Sequence, residues 1–193
     1  YGWISSGDIS IAKAYNVIFN ILNSRADMLL TKINIMDIVN WLGTILSSRR
    51  SAEIILFEYG EPEWKEFAIA KKDWFLHGNE HRTQSNNSLV FYKKPIRSNL
   101  KHIFTLMKEA GGSEPGFINA EAALTRAPWF KGVNPCVEVL LGNKSFCNLF
   151  EIDIGKFKGN NAALHRAVYI VSRANYRQTC VDLRDGILQE AWH

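Results

Sequence analysis

The sequence has few cysteines, and they follow no recognised metal or disulfide pattern. Its 193 residues include three cysteines, with no CxxC pair and no Cys–His ligand spacing. A disulfide scaffold and a zinc site are therefore not indicated, and no metal is expected. A reducing compartment, the cytoplasm, is predicted instead. The cysteines then become candidates for chemistry.

Long apolar runs, massed charge and phosphate-binding loops are also missing. The longest charge-free stretches, such as residues 38–48, are far shorter than the roughly 18 apolar residues of a membrane helix. The net charge is +4 with Lys and Arg scattered, and no GxGxxG or Walker loop occurs. We expect no membrane and no nucleic acid as partner. A solvated basic surface and a surface that handles anionic nucleotides both remain open.

The remaining composition is that of a folded domain, because 47% of the residues are hydrophobic and 22% are charged. Apolar periodicity alternates helices with short strands, which predicts an α/β fold. The predicted helices span residues 11–23, 34–45, 62–68, 98–110, 162–174 and 181–191. The predicted strands span residues 52–57, 89–92, 117–119, 137–141 and 145–150.

Two of these elements carry more detailed predictions. The second helix is predicted to have Asn34 as its N-cap and Asp37 in its first turn. Its predicted buried residues are Ile35, Ile38, Leu42 and Ile45. The last two strands flank Gly142-Asn143, a typical two-residue hairpin turn.

The segment 133–139 differs from the rest of the chain. In an extended chain, side chains at i, i+2 and i+4 share one face, so Asn134, Cys136 and Glu138 are predicted to point together. An amide, a thiol and a carboxylate can act as hydrogen-bond donor, sulfur reactant and base. Pro135 cannot donate to a sheet, which favours an inserted loop over a central strand.

The predicted hairpin brings a second thiol to this segment. With Gly142-Asn143 as the turn, Glu138 pairs with Cys147, and Cys147 lies beside the face that carries Cys136. From the residues alone, two ordinary buried cysteines on a hairpin remain the alternative.

These residues resemble a known family. The run Asn134-Pro135-Cys136-Val137-Glu138, followed eleven residues after Cys136 by Cys147-Asn148-Leu149-Phe150-Glu151, is similar to the active-site finger loop of ribonucleotide reductases. The closest type is the adenosylcobalamin-dependent (class II) monomeric triphosphate reductase. Four further motifs agree in order: Ser5-Ser6-Gly7, Arg49-Arg50-Ser51-Ala52-Glu53-Ile54, Ser85-Asn86-Asn87-Ser88 and Glu114-Pro115-Gly116-Phe117-Ile118-Asn119.

The resemblance implies an architecture for the whole chain. The chain would be one piece of the ten-stranded α/β barrel of the reductases, with the finger loop inside. Residues 1–60 would hold the specificity-loop region and 85–132 the middle strands and helices of the barrel. Residues 133–150 would form the finger loop, and 151–193 the helices that follow it.

The resemblance also implies roles for the residues of the finger loop. Cys136 matches the cysteine that becomes a thiyl radical and removes the ribose 3′ hydrogen. Glu138 matches the base that takes the 3′-hydroxyl proton, and Asn134 matches an amide that binds the substrate near those hydroxyls. Cys147 matches one half of the cysteine pair that is oxidised to a disulfide.

Substrate- or effector-binding roles are implied for residues outside the finger loop: Ser5, Ser6, Arg49, Arg50, Ser85 and Asn86. Arginines suit contacts with phosphates and base edges. The alternative for Arg49 and Arg50 is two solvated arginines at a helix end, and the alternative for Ser85 and Asn86 is a polar turn before the strand 89–92.

His77, Glu80 and His81 are predicted to lie in a polar surface loop rather than at a metal site.

The chain also departs from the family pattern. It has no cysteine before Cys136 to complete the redox pair, and Cys180 is predicted to be structural. A split reductase is therefore expected, in which complementing chains supply the second cysteine and the missing barrel strands. Adenosylcobalamin, a ribonucleotide, a deoxynucleotide effector and a thioredoxin-type reductant are the implied partners. A class I relative and a catalytically incomplete fragment that binds a nucleotide or a partner remain alternatives.

Overall fold

The computed structural model describes residues 6–46, 53–145, 147–182 and 186. The chain divides into two compact units. The first comprises residues 1–128 with 135–138, and the second comprises 129–134 with 139–193. No helix within the described ranges is long and apolar enough to cross a membrane.

A parallel sheet in the order β1-β2-β3 forms the centre of the first unit. Its strands are β1 (Glu53–Glu58), β2 (Ser85–Phe91) and β3 (Gly116–Asn119). Parallel neighbours need crossover connections. These contain α3 (Trp64–Ala68) and α4 (Arg97–Ala110), while α5 (Ala120–Arg126) follows β3. The predicted α/β class is confirmed, and the ten-stranded barrel stays a prediction.

From Asn87 onward the central strand β2 is buried on both faces, as expected when helices cover a parallel sheet. Leu89 and Phe91 pack with Phe57 of β1, Phe67 of α3 and Ile103 of α4. The rings of Phe57 and Phe67 stack with their centroids 4.9 Å apart. This cluster forms the main hydrophobic core of the first unit.

The polar first half of β2 is a strand rather than the polar turn that the sequence left open. Ser85 and Asn87 are buried, and the Ser85 hydroxyl donates to Asn87 Oδ1 at 2.9 Å. Farther along β2, Ser88 pairs with Gly116 of β3. A Cβ atom at Gly116 would lie 2.5 Å from Ser88 Oγ, so any larger residue at this position would force the serine side chain to move.

Helices α1 (Asp8–Asn23) and α2 (Lys32–Leu46) precede the sheet. The Thr31 hydroxyl accepts from the Asn34 N–H, and Asn34 Oδ1 accepts from the Thr31 N–H, each bond about 3 Å long. This reciprocal pair is a capping box in which Thr31 is the cap. The predicted cap at Asn34 is therefore wrong, and α2 begins earlier.

The predicted buried face of α2 is also partly wrong. Ile33 and Met36 are buried, whereas Ile35 and Leu42 are 49% and 40% exposed. The apolar residues of α2 lie on several sides of the helix, so periodicity alone did not identify the buried face.

The second unit contains a short antiparallel pair and one long helix. Gly132–Val133 (β4) pairs with Leu140–Leu141 (β5), and α6 spans Asn161–Gln178. The predicted hairpin around Gly142-Asn143 is wrong, because β5 pairs with the preceding segment. After β5 the Gly142 N–H instead donates to Ser145 Oγ at 3.1 Å, which makes a local turn. Most of the predicted helix 181–191 lies outside the described residues.

Candidate functional site

A six-residue loop, 134–139, connects β4 to β5. Asn134 is 5% exposed, and its Oδ1 accepts from the Val139 N–H at 3.0 Å. The Asn134 N–H donates to the Val139 carbonyl at 3.3 Å. The side chain and the backbone of Asn134 thus both close the base of the loop.

The middle of this loop is turned rather than extended. Pro135 and Cys136 form a turn, and Val137 has a φ of +72°. The extended conformation from which a shared face of Asn134, Cys136 and Glu138 was predicted is therefore not adopted. Cys136, Val137 and Glu138 are all exposed, so the thiol and the carboxylate are accessible to other molecules.

The second predicted thiol lies beside the asparagine of the loop. Cys147 is half-buried, and Asn134 Nδ2 donates to its Sγ across 4.0 Å. Asn134 therefore holds the loop with its oxygen and contacts a cysteine with its nitrogen. The predicted approach of Cys147 to Cys136 stays a prediction.

Asn86, on β2 of the first unit, contacts the turn that carries Cys136. Its Nδ2 donates to the Pro135 carbonyl at 2.6 Å. The neighbouring Ser85 is different, because its hydroxyl is buried and engaged with Asn87 while its carbonyl accepts from the Lys71 ammonium. A ligand role for Ser85 and Asn86 stays a prediction.

The other predicted binding residues lie at the start of the chain and after α2. The Ser6 hydroxyl donates to the Ile45 carbonyl at 3.3 Å. Ser5, Arg49 and Arg50 lie outside the described residues. Cys180, predicted to be structural, is exposed just after α6.

A charged cluster that the sequence did not reveal joins α2 to the segment before β2. Asp37 accepts from Arg82 Nε at 2.6 Å, from Arg82 Nη2 at 2.8 Å and lies 2.9 Å from His81 Nε2. Burial would raise the pKa of Asp37, but the bonds to Arg82 and His81 outweigh it and hold the pKa below its ordinary value.

This cluster corrects the interpretation of His81. Its side chain is 7% exposed and its ring stacks on Trp41, so it does not lie in a polar surface loop. Within the described part of the chain, no group of three His, Cys, Asp or Glu could hold a metal ion. The adjacency of His81 and Arg82 in the sequence was the available signal, but it did not identify Asp37 as their partner.

A cleft of about 570 Å³ opens at the amino end of β2. Its lining includes Ser85, Asn86, Trp74 and the ion pair of Lys71 with Glu114. This pair joins the two charged groups at 2.8 Å, so the cleft presents little uncompensated charge there.

Comparison with known proteins gives relatives of one kind. The chain is 30% identical to the adenosylcobalamin-dependent ribonucleoside-triphosphate reductase of Lactobacillus helveticus, with 79% of this chain and 21% of the relative covered. The enzymes of the same name from Lactobacillus gasseri and Lactobacillus leichmannii are 31% and 29% identical over the same shares. The chain is homologous to one segment of these reductases. The predicted resemblance is confirmed.

The homologous reductases are much longer than this chain, which spans about a fifth of their length. No family model matches the chain. No solved structure matches it either. The relatives are named for a cofactor, adenosylcobalamin, and for ribonucleoside triphosphates as substrates.

Proposed function

We propose that this chain takes part in reducing ribonucleotides to deoxyribonucleotides by thiyl-radical chemistry, as one part of a class II ribonucleotide reductase. The observation that carries the proposal is the loop 134–139 in a chain that is homologous to such reductases. Asn134 closes the base of this loop, and the thiol of Cys136 is exposed in its turn. Asn134, Glu138 and Cys147 accompany that thiol in the sequence at the spacing of the family motif.

The reaction begins at Cys136. Its sulfur radical removes the 3′ hydrogen of the ribose, a reversible step because S–H and activated C–H bonds have similar strengths. Glu138 takes the 3′-hydroxyl proton, which helps to expel the 2′-hydroxyl as water. Glu138 is exposed and can therefore reach a substrate.

Two thiols supply the electrons of the reduction. Cys147 and a second cysteine lose two electrons and two protons in total and become a disulfide, while the 2′ carbon gains hydrogen. Cys136 then returns hydrogen to the 3′ carbon and regains its radical. The net change consumes one ribonucleotide and two thiols and yields one deoxyribonucleotide, water and a disulfide.

One described residue, Cys136, has the chemistry and the exposure that a reaction started by adenosylcobalamin needs. Cys136 is exposed in its turn, as a thiol must be to exchange a hydrogen atom with a group held outside its own loop. When bound in the assembled enzyme, adenosylcobalamin would supply the radical that starts the reaction at Cys136. We assign the binding of this cofactor to other parts of the reductase.

The proposed partners follow from the part of the reductase that this chain represents. Because residues 1–135 contain no cysteine, the partner of Cys147 and further barrel strands would come from parts of the reductase other than these 193 residues. A thioredoxin-type dithiol re-reduces the disulfide, and a deoxynucleotide effector binds in the specificity-loop region.

The experiment is reconstitution of the full chain with the remaining reductase polypeptide, adenosylcobalamin, a dithiol and a ribonucleoside triphosphate. We expect Cys136→Ser to abolish deoxynucleotide formation, because an O–H bond is too strong for reversible hydrogen transfer. Cys147→Ser should decompose substrate without clean reduction, since the radical still forms but the redox pair is broken. Cys180→Ser is the matched control and should retain turnover.

Two results would contradict the proposal. The first is a wild-type assembly that makes no deoxynucleotide although every other part is supplied. The second is a Cys136→Ser variant that retains turnover. If nucleotide affinity is unchanged in all variants and none turns over, the chain is a binding fragment instead.

A further inference from the structure

We infer that Asn86 is a positioning residue that fixes the peptide group between Pro135 and Cys136, rather than a residue that contacts a nucleotide. The inference rests on the proposed function for its kinetic consequence, but its structural part is independent of it. The observation is the 2.6 Å bond from Asn86 Nδ2 to the Pro135 carbonyl, between residues 49 positions apart in the sequence.

Asn86 has a rigid support. It lies on the central strand β2, where its backbone pairs with Ile54 of β1. Its neighbours Ser85 and Asn87 are 2% exposed and hydrogen-bond each other. The carboxamide of Asn86 therefore projects from a part of the sheet whose flanking side chains are fixed in place.

The turn that receives this bond is closed at its base by Asn134, but its tip consists of exposed residues. Cys136, Val137 and Glu138 are consecutive exposed residues, so no burial of their side chains holds them. Val137 is β-branched and has a φ of +72°, a conformation that such residues rarely adopt. A strained backbone persists only when its surroundings hold it, and the Asn86 bond acts on the Pro135–Cys136 peptide group, one residue before Val137.

The bond restrains the residue on which the proposed chemistry depends. The Pro135 carbonyl and the Cys136 nitrogen belong to one planar peptide unit, so a partner on the carbonyl fixes the orientation of the plane at Cys136. A shift of about 1 Å in a reacting group can lower a rate roughly 100-fold. Loss of the bond should therefore act on the chemical step, whereas loss of a substrate contact should act on binding.

The first test observes the bond without activity. Pro135-Cys136 is the one Pro–Cys dipeptide in the sequence, so ¹³C-carbonyl proline with ¹⁵N-cysteine labelling of the full chain marks a single peptide bond. Asn86→Asp keeps the side-chain size but replaces the donor with an acceptor. We expect this variant to shift the Pro135 ¹³C and Cys136 ¹⁵N resonances. Asn143→Asp, the same change at an exposed turn residue, should leave both resonances unchanged.

The second test measures kcat and KM in the reconstituted reductase. We expect Asn86→Asp to lower kcat roughly 10-fold with KM within about twofold of wild type, because one positioning bond is lost. Asn143→Asp should match wild type in both constants.

The outcomes separate this inference from the proposed function. Unchanged resonances in Asn86→Asp would overturn it, and so would a raised KM with kcat retained, which would show a nucleotide contact. A wild-type assembly without turnover would instead contradict the proposed function, and the resonances alone would then decide the role of Asn86.

Discussion

The central sheet and the cysteine loop are stabilised in different ways. In the sheet, Leu89 is fully buried and packs in a continuous apolar cluster with Phe57, Phe67 and Ile103. In the loop, Cys136, Val137 and Glu138 are exposed, and individual hydrogen bonds at Asn134 and Pro135 hold the backbone. Packing therefore determines the stability of the sheet, while a few directed bonds determine the geometry of the loop.

This difference predicts where a substitution will be felt. A change in the sheet should lower the free energy of unfolding, and a change at an exposed loop residue should alter turnover with little effect on folding. The four predictions below use pairs of matched substitutions to break or sharpen that contrast.

The largest expected effect is on chemistry, at Glu138. Glu138→Gln should slow deoxynucleotide formation by roughly 10²–10⁴-fold in the reconstituted reductase, because a positioned base is lost. Its unfolding midpoint in urea should equal that of the wild type, since the side chain is exposed. Glu151→Gln, in the exposed segment after Cys147, is the control and should retain turnover. A large fall in stability with turnover intact would contradict the contrast.

The next effect is on packing, at Leu89. Leu89→Ala should lower the free energy of unfolding by about 3 kcal/mol, because it leaves a cavity at a fully buried position. The same change at Leu149, which is 80% exposed, should cost less than about 0.5 kcal/mol. Urea unfolding of the two variants measures both values. Equal losses of unfolding free energy in the two variants would show that Leu149 belongs to a packed core of the second unit despite its exposed side chain.

A smaller effect is expected at the charged cluster. Asp37→Asn should cost about 2 kcal/mol at pH 7, because the largely buried Arg82 loses its charged partner. Asp153→Asn removes an exposed partner of Lys156 at 3.9 Å and should cost less than about 0.5 kcal/mol.

The cost at Asp37 should depend on pH. A carboxylate whose folded-state pKa is lowered stabilises the protein above its unfolded-state pKa, near 3.8, and loses that contribution as the pH falls through the folded-state value. The difference between wild type and Asp37→Asn should therefore be constant at neutral pH and shrink below about pH 4. A difference that grows on acidification would have the wrong sign for this ion pair.

The smallest effect is expected at Val137. Val137→Gly should leave stability unchanged or raise it by about 1 kcal/mol, because glycine adopts a positive φ without strain. Val90→Gly, in the buried centre of β2, should instead cost about 3 kcal/mol, since packing is lost and the strand gains flexibility. A costly Val137→Gly would mean that the valine side chain, and not the backbone, supports the turn.

Much of the sheet and its helices could be predicted from the sequence because local signals agreed with the packing. Examples are the helix α4, which ends just before Gly111 with its φ of +70°, and the apolar strand residues Leu89 and Val90. The polar start of β2 was not predictable in this way. Ser85 and Asn87 satisfy each other's side chains within a buried strand, an arrangement that propensity does not encode.

The cysteine loop was predictable in composition but not in conformation. Gly142-Asn143 has the composition of a hairpin turn, yet the pairing depends on Asn134, whose side chain and backbone both bind Val139. The bond between Asn86 and Pro135 joins distant parts of the sequence, so periodicity gave no sign of it. Local patterns identified the reactive residue types, whereas long-range hydrogen bonds set their geometry.

The close approach of β2 and β3 at Gly116 has a consequence for how this sequence can vary over evolution. Gly116→Ala alone would press its methyl group against the Ser88 hydroxyl, so the serine side chain would have to rotate away or be replaced. Ser88→Gly removes that hydroxyl and makes room for the methyl group. Positions 88 and 116 should therefore vary together among homologues, with a larger residue tolerated on one strand only where the other strand carries a smaller one.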